Sequence, residues 1–496
     1  MKQQRAPMTL AAVAAALAAV TGIAALTAPG APAAEGKKSA AARMPVERSV
    51  LVCPAPSASD IAETAYTSFT PGKGADAGKG AARLLGATKD AKVVLEPKEP
   101  GKPVGAASSG SEAPALTGIA EGSLAPGWTV QQTTKVSVGR ARGVLGVGCT
   151  VPGTDFWFPA ASTAKGREDY VHLTNPDDTA AEVDVKLFGP EGPVKTEPGR
   201  DKSITIAPRS SQKVLLSTLA PETQLDDITA HVTTRSGRVG ASVQVAEEGV
   251  GADWLPASAD PAGSLVLPGI PADATSVKLV AFAPGEEDAD LTLRLAGPGG
   301  SISPAGNEQL HVKAGMTASV DLKDVTRGEA GSLLLAPADE KKAVPVVAAV
   351  RVVRGSGAKQ ELGFVPATGP VGARATVADN RPGENVTVLS LTAPGKADAK
   401  VRVTASPGTE GGEPEVKEFE VKAGTTLAVS PPPAPSGGKG PYALTVETLS
   451  GGPVYAARTL TLPHEGVPMF TVQPLSDDHS TVLVPKAVQD LSIPTR

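Results

Sequence analysis

Only 3% of the 496 residues are aromatic, and only two are cysteine. With so few rings, a core must be built from Val, Leu, Ile and Ala. These bury less area each, at roughly 25 cal/mol per Å², so each folded module is expected to be only moderately stable by itself. Clusters of Lys and Arg are missing, and the net charge of −5 mixes both signs along the chain, which excludes a nucleic-acid footprint. The common catalytic signatures are missing too. There is no Gly-x-Ser-x-Gly elbow. His464-Glu465 begins like a zinc-binding HExxH, but Pro468 stands where the second ligand belongs. His172, His231, His311, His464 and His479 show no ligand spacing. Gly78-Lys79 has neither the upstream glycine nor the following Ser/Thr of a phosphate loop. No catalytic residue, metal or cofactor is therefore expected, and the sequence names no reaction.

One long apolar run is present. Lys2 and Arg5 precede an uncharged, Ala-rich stretch from Ala6 to Ala34. A positive start followed by an apolar segment reads as an export signal, with Ala31-Pro32-Ala33 as a cleavage site. The part from Met8 to Thr27 is also about as long as a membrane span, so cleavage and retention as an anchor both stay open. Residues 1–34 are taken as signal peptide or anchor, and 35–45 as a linker. The expected location is the outer face of the cell membrane or the medium, with membrane contact only through this segment. In an oxidising compartment the isolated pair Cys53 and Cys149 is expected to form a disulfide. The alternative is two buried thiols.

What the chain has in quantity is alternation. In YVHLTNPDDTAAEVDVKLFGPEG (170–192), apolar Val183, Val185 and Leu187 alternate with Glu182, Asp184 and Lys186. The same register returns around Pro284, with Leu291, Leu293 and Leu295, and around Pro394, with Val401, Val403 and Ala405. Period two marks a half-buried strand, and the Pro/Asp/Gly turns suit a reversal, so each copy reads as a hairpin. Further blocks follow each copy in fixed register, which makes a threefold internal repeat. The motifs FWFPA (156–160), WLPA (254–257) and FVPA (364–367) are read as preceding the units.

Along the chain, Ser59 to Tyr66 is expected to form a short helix. Residues 71–126 lose periodicity and are rich in Gly, Ala, Lys, Pro and Ser, so they read as a flexible insertion. The expected domains are 46–258, with extra N-terminal strands, then 259–360 and 361–496. Six or seven short strands per unit point to an all-β chain of tandem immunoglobulin-like antiparallel β-sandwiches. The alternative is a β-propeller, with strands of successive repeats closing a ring.

Two features are candidates for binding. The acidic turns at Asp177-Asp178 and at Glu286, Glu287 and Asp288 offer hard oxygen ligands of the kind calcium takes. Lys396 at the third turn argues for plain solvated turns instead. Trp157 and Trp254 are of the type that stacks on sugars, and equally of the type that anchors packing between modules. Asn385-Val386-Thr387 matches the glycosylation pattern.

LVCPAPSASDIAETAYTSFTPG (51–72), APGWTVQQTTKVSVGRARGVLGVGCTVPGTDFWFPAAST (125–163) and the 170–192 segment resemble the actinobacterial exported proteins grouped as domain of unknown function family 5719. The likeness extends over nearly the whole chain after the N-terminal segment, and CPAPS and GTDFWFP are its specific parts. The resemblance implies an actinobacterial envelope or secreted protein and carries over no activity or catalytic residue. The expected role is a non-enzymatic scaffold whose partner is a protein or an envelope polymer. The alternatives are a binder of cell-wall carbohydrate and an enzyme of unrecognised type.

Overall fold

The computed structural model describes residues 42–72, 79–196 and 203–485. The segment 1–34 and most of the linker lie outside them. Two units are distinguished. The small one holds a two-stranded sheet of Ala42–Pro45 and Thr481–Val484. The large one, Pro45–Thr481, is all-β. Among the described residues no helix is long and apolar enough to cross a membrane.

The large unit contains four antiparallel β-sandwiches, not three. We call them modules I (48–148), II (155–255), III (265–366) and IV (374–475). Module I shows the pattern, with strands Arg48–Cys53, Glu63–Phe69, Gly80–Gly86, Val93–Leu95, Val104–Ser109, Leu116–Gly122, Thr129–Val136 and Gly143–Gly148. One sheet runs first-sixth-third-fourth, the facing sheet fifth-second-seventh-eighth, and all four modules repeat this order. In II and III a short extra strand, Ile204–Ile206 or Gln309–Val312, joins the third strand.

Four sequence expectations are corrected. The 71–126 stretch is not a flexible insertion, because four strands of module I form within it. Its glycines fit close packing: a Cβ on Gly118 would stand 2.4 Å from the Trp128 ring. The helix expected from Ser59 to Tyr66 is instead a turn, with Ala62 N bonded to Ser59 O, that leads into the strand Glu63–Phe69. Thr, Tyr and Phe suit a pleated, half-buried surface better than a helix. The 170–192 hairpin is not a hairpin. Arg167–Asn175 and Ala181–Gly189 lie in facing sheets, and Val171, Leu173, Ala181 and Val183 meet across one core. Asn175 shapes the crossing by donating to the carbonyls of Thr179, Ile206 and Ala207. Finally, WLPA and FVPA do not precede units. Gly251–Leu255 and Glu361–Pro366 are the eighth strands of II and III, paired to the seventh, whereas Asp155–Ala161 is the first strand of II.

The modules close a ring. Val280, Ala349, Leu362 and Phe364 of III complete the core of II. Ala457, Phe470 and Val472 of IV do the same for III. Leu145 and Val147 of I pack on Ala252 and Trp254 of II. The last module returns to the first: Val144 packs on Leu460 and Met469, and Phe69 packs on Ala378 and Ala443. Each blade of this ring is a two-sheet sandwich rather than the single sheet of a propeller. A β-bulge helps the packing. In II, III and IV the first strand shifts register at Pro159/Ala161, Leu267/Ile270 and Val377/Asn380, with positive φ at Ala160, Gly269 and Asp379. A bulge bends its strand and re-aims it. At Gly269 the backbone comes so close to module IV that a Cβ would stand 2.7 Å from Ala457 Cβ.

Candidate functional site

The eighth strands, Gly143–Gly148, Gly251–Leu255, Glu361–Pro366 and Phe470–Leu475, meet at the ring axis. Their sequences GVLGVG, GADWL, ELGFVP and FTVQPL contain two titratable side chains, Asp253 and Glu361, and both are fully buried. On Gly251–Leu255, Trp254 and Ala252 pack toward module I, and Asp253 reaches all three other modules. Its Oδ1 accepts Gly146 N of I at 3.1 Å. A Cβ on Gly363 of III would lie 3.5 Å from its Oδ2. Thr471 of IV hydrogen-bonds at the same place, donating to Gly146 O at 3.4 Å.

Glu361 of III lies against Gly251 of II so closely that a Cβ there would stand 1.8 Å from its Oε1. Arg142 of I bridges the two neighbours: its Nη2 donates to Val250 O of II at 2.5 Å and to Gln360 O of III. Burial pushes the Glu361 carboxyl up to about 8, against smaller effects of the Leu362 and Ala252 backbone N–H groups and the Arg142 charge. Burial holds the Asp253 carboxyl well above its usual range; hydrogen bonds from Trp254 N–H and Gly146 N–H offset only part of this, and the nearby Glu361 raises it further. Among the described residues, Asp253 Oδ2 and Glu361 Oε2 are buried without a hydrogen-bond partner.

Trp254 is 1% exposed and meets His172 edge-on at 5.0 Å. Trp157 is 9% exposed; it stacks on His231 at 3.5 Å and on Phe282 of III at 5.3 Å. Both indoles thus sit in seams between modules. Cys53 and Cys149 form a disulfide, which joins the first strand of module I to the residue after its eighth. The acidic turns meet partners of their own chain: Asp177 pairs with Arg238 at 3.0 Å, Asp178 pairs with Arg209, and Asp288 lies 3.5 Å from the His311 ring. Among the described residues no group of three or more His, Cys, Asp or Glu is placed to hold a metal ion. Asn385 is exposed and lines a recess of about 320 Å³ between III and IV with Arg354, Thr461 and Pro468. Thr387, the third residue of its glycosylation pattern, is buried and donates to Arg381 O.

A family model described as a family of unknown function (DUF5719) matches residues 104–432. The chain belongs to that family. The match takes in modules II and III whole, and parts of I and IV. No curated protein matches the chain. DUF5719 carries no activity to transfer, so residue roles here rest on geometry alone. Sequence reasoning missed Asp253, Glu361 and Arg142. The signal available was an acid inside an otherwise apolar or glycine-rich strand, in GADWL and at the start of ELGFVP.

His172 provides a separate pH marker. Burial, then the Lys213 charge, depress its pKa to about 3, against a raising hydrogen bond that the ring donates to Gln244. A base depressed below its unfolded value of about 6.5 gives stability that is present above pH ~6.5 and lost as pH falls toward ~3, at about 1.4 kcal/mol per unit. Taken relative to the His172→Gln variant, the urea midpoint of the native chain is expected to fall between pH 6.5 and 4, because the raised carboxyls act on both chains alike. An unchanged slope in the variant would assign the acid limb to other groups.

Proposed function

We propose that this DUF5719 protein is a non-enzymatic, exported protein of the cell envelope, in which a closed ring of four sandwiches holds loops for a protein or envelope-polymer partner. The observation that carries this reading is where its chemically distinctive side chains lie. Trp157, Trp254, Arg142, Asp253 and Glu361 are turned into the seams, where they fix the modules relative to one another. The disulfide supports an oxidising compartment. Lys2, Arg5 and the Ala-rich run after them support export, with membrane contact through that segment. A glycan-binding role for Trp157 and Trp254 has no exposed ring face to work with.

Partner contact then falls to exposed loops such as the turns at Glu286 and Lys396. Photo-cross-linking residues at these two positions, in intact cells, are expected to capture the same envelope component reproducibly. Recovery of the chain in the cytoplasmic fraction alone, or no adduct from either turn, would count against the reading.

A further inference from the structure

The axial junction has a property that a merely packed core would lack. Four modules converge on it, yet its polar centre holds two carboxyls and one cation committed elsewhere. The strand from I contributes Gly146 N–H to Asp253, and the strand from IV contributes the Thr471 hydroxyl; neither strand has a titratable side chain. The strand from III contributes Glu361, whose charge is the one that reaches Asp253. Arg142 is the cation whose charge reaches Glu361. Its guanidinium donates to Ala358 O, Val250 O and Gln360 O. Glu361 of III lies against Gly251 of II, and Asp253 of II beside Gly363 of III, so each acid sits in a seam between modules. An ionised carboxylate in such a place needs partners or solvent, and solvent can arrive only if the strands part.

We propose that Asp253 and Glu361 form a pH-sensitive lock on the ring, closed while both carboxyls are neutral and loosened at the axis when they ionise. The sign follows from the raised position of both acids. A carboxyl whose folded pKa lies above its unfolded value gives stability that is full below the unfolded value. For Glu361 that stability is lost as pH rises from about 4.5 through about 8. Asp253 acts in the same direction. The lock therefore holds in mildly acidic surroundings and loosens in alkaline ones, opposite in sense to the His172 marker.

The test is hydrogen exchange on the full chain at pH 6 and pH 9, with rates corrected for intrinsic pH dependence. Protection in Gly143–Gly148 and Glu361–Pro366 is expected to fall about tenfold or more at pH 9, a change of roughly 1.4 kcal/mol or more. Protection in the inner strand Ala274–Phe282 of module III should hold. The Asp253→Asn/Glu361→Gln double variant mimics the neutral acids and should keep axial protection at both pH values. Should it fail to fold, Glu361→Gln alone is expected to remove about half of the pH response. Equal loss across all strands, equal loss in wild type and variant, or no loss in wild type would each overturn the lock.

Discussion

Replacing Cys53 and Cys149 together by alanine is expected to remove about 4–5 kcal/mol of stability, the loop-entropy value for a closed loop of about a hundred residues. The bonded cysteines are 96 residues apart. Cys53 ends the first strand in one sheet of module I, and Cys149 follows the eighth strand in the other. The bond thus staples two sheets whose shared core is short of aromatics, with Tyr66 and Trp128 its large rings among the described residues. Beside it, Val52 and Thr150 exchange backbone hydrogen bonds at 2.8 and 2.9 Å. Val52 also touches module II, where a Cβ on Gly240 would stand 2.8 Å from Val52 Cβ. Loss of the bond should therefore loosen module I first and its seam with II next. Urea denaturation with and without reductant measures this; a change below about 1 kcal/mol would remove the staple from the account.

Trp254→Ala is expected to reduce stability by about 3–5 kcal/mol, the usual range for truncating a large buried ring. The indole fills the seam between I and II, against Val136, Leu145 and Val147. Trp254→Phe should keep most of that stability. It retains a ring and removes the indole Nε1, which is buried without a hydrogen-bond partner among the described residues and is therefore unfavourable where it stands. Had Trp254 been a sugar platform, alanine would leave folding nearly unchanged and abolish glycan binding. Urea midpoints of the two variants, read beside glycan binding, decide between these outcomes.

The all-β class was legible because period-two alternation is strong in strands such as Ala181–Gly189 and Ala289–Gly297. Alternation reports that one face of a strand is buried, but not which strand it pairs with. Val171 and Val183 look like hairpin partners and instead face each other across a core. Module I escaped notice because Gly80–Gly86 and Leu116–Gly122 use glycine and alanine where the other modules use valine and leucine. The Trp128 ring lies where a Cβ on Gly118 would stand 2.4 Å from it, and in the sequence such small residues resemble a linker. The ring was illegible for a different reason. Its contacts join residues hundreds of positions apart, such as Gln131 and Gln473, whose amides hydrogen-bond at 2.8 Å, and no local pattern encodes that. Asp253 and Glu361 are buried by that closure rather than within the core of one module.

Closure between the first and last modules is the claim on which the lock and the scaffold both rest. A Cβ on Gly146 would stand 3.1 Å from Thr471 Cβ, a few tenths of an ångström inside the ~3.5–4.5 Å of a disulfide. In the Gly146→Cys/Thr471→Cys variant, peptide mapping under non-reducing conditions is expected to find a bond between these positions beside Cys53–Cys149. Two free thiols at 146 and 471 in the folded, oxidised protein would contradict the closed ring.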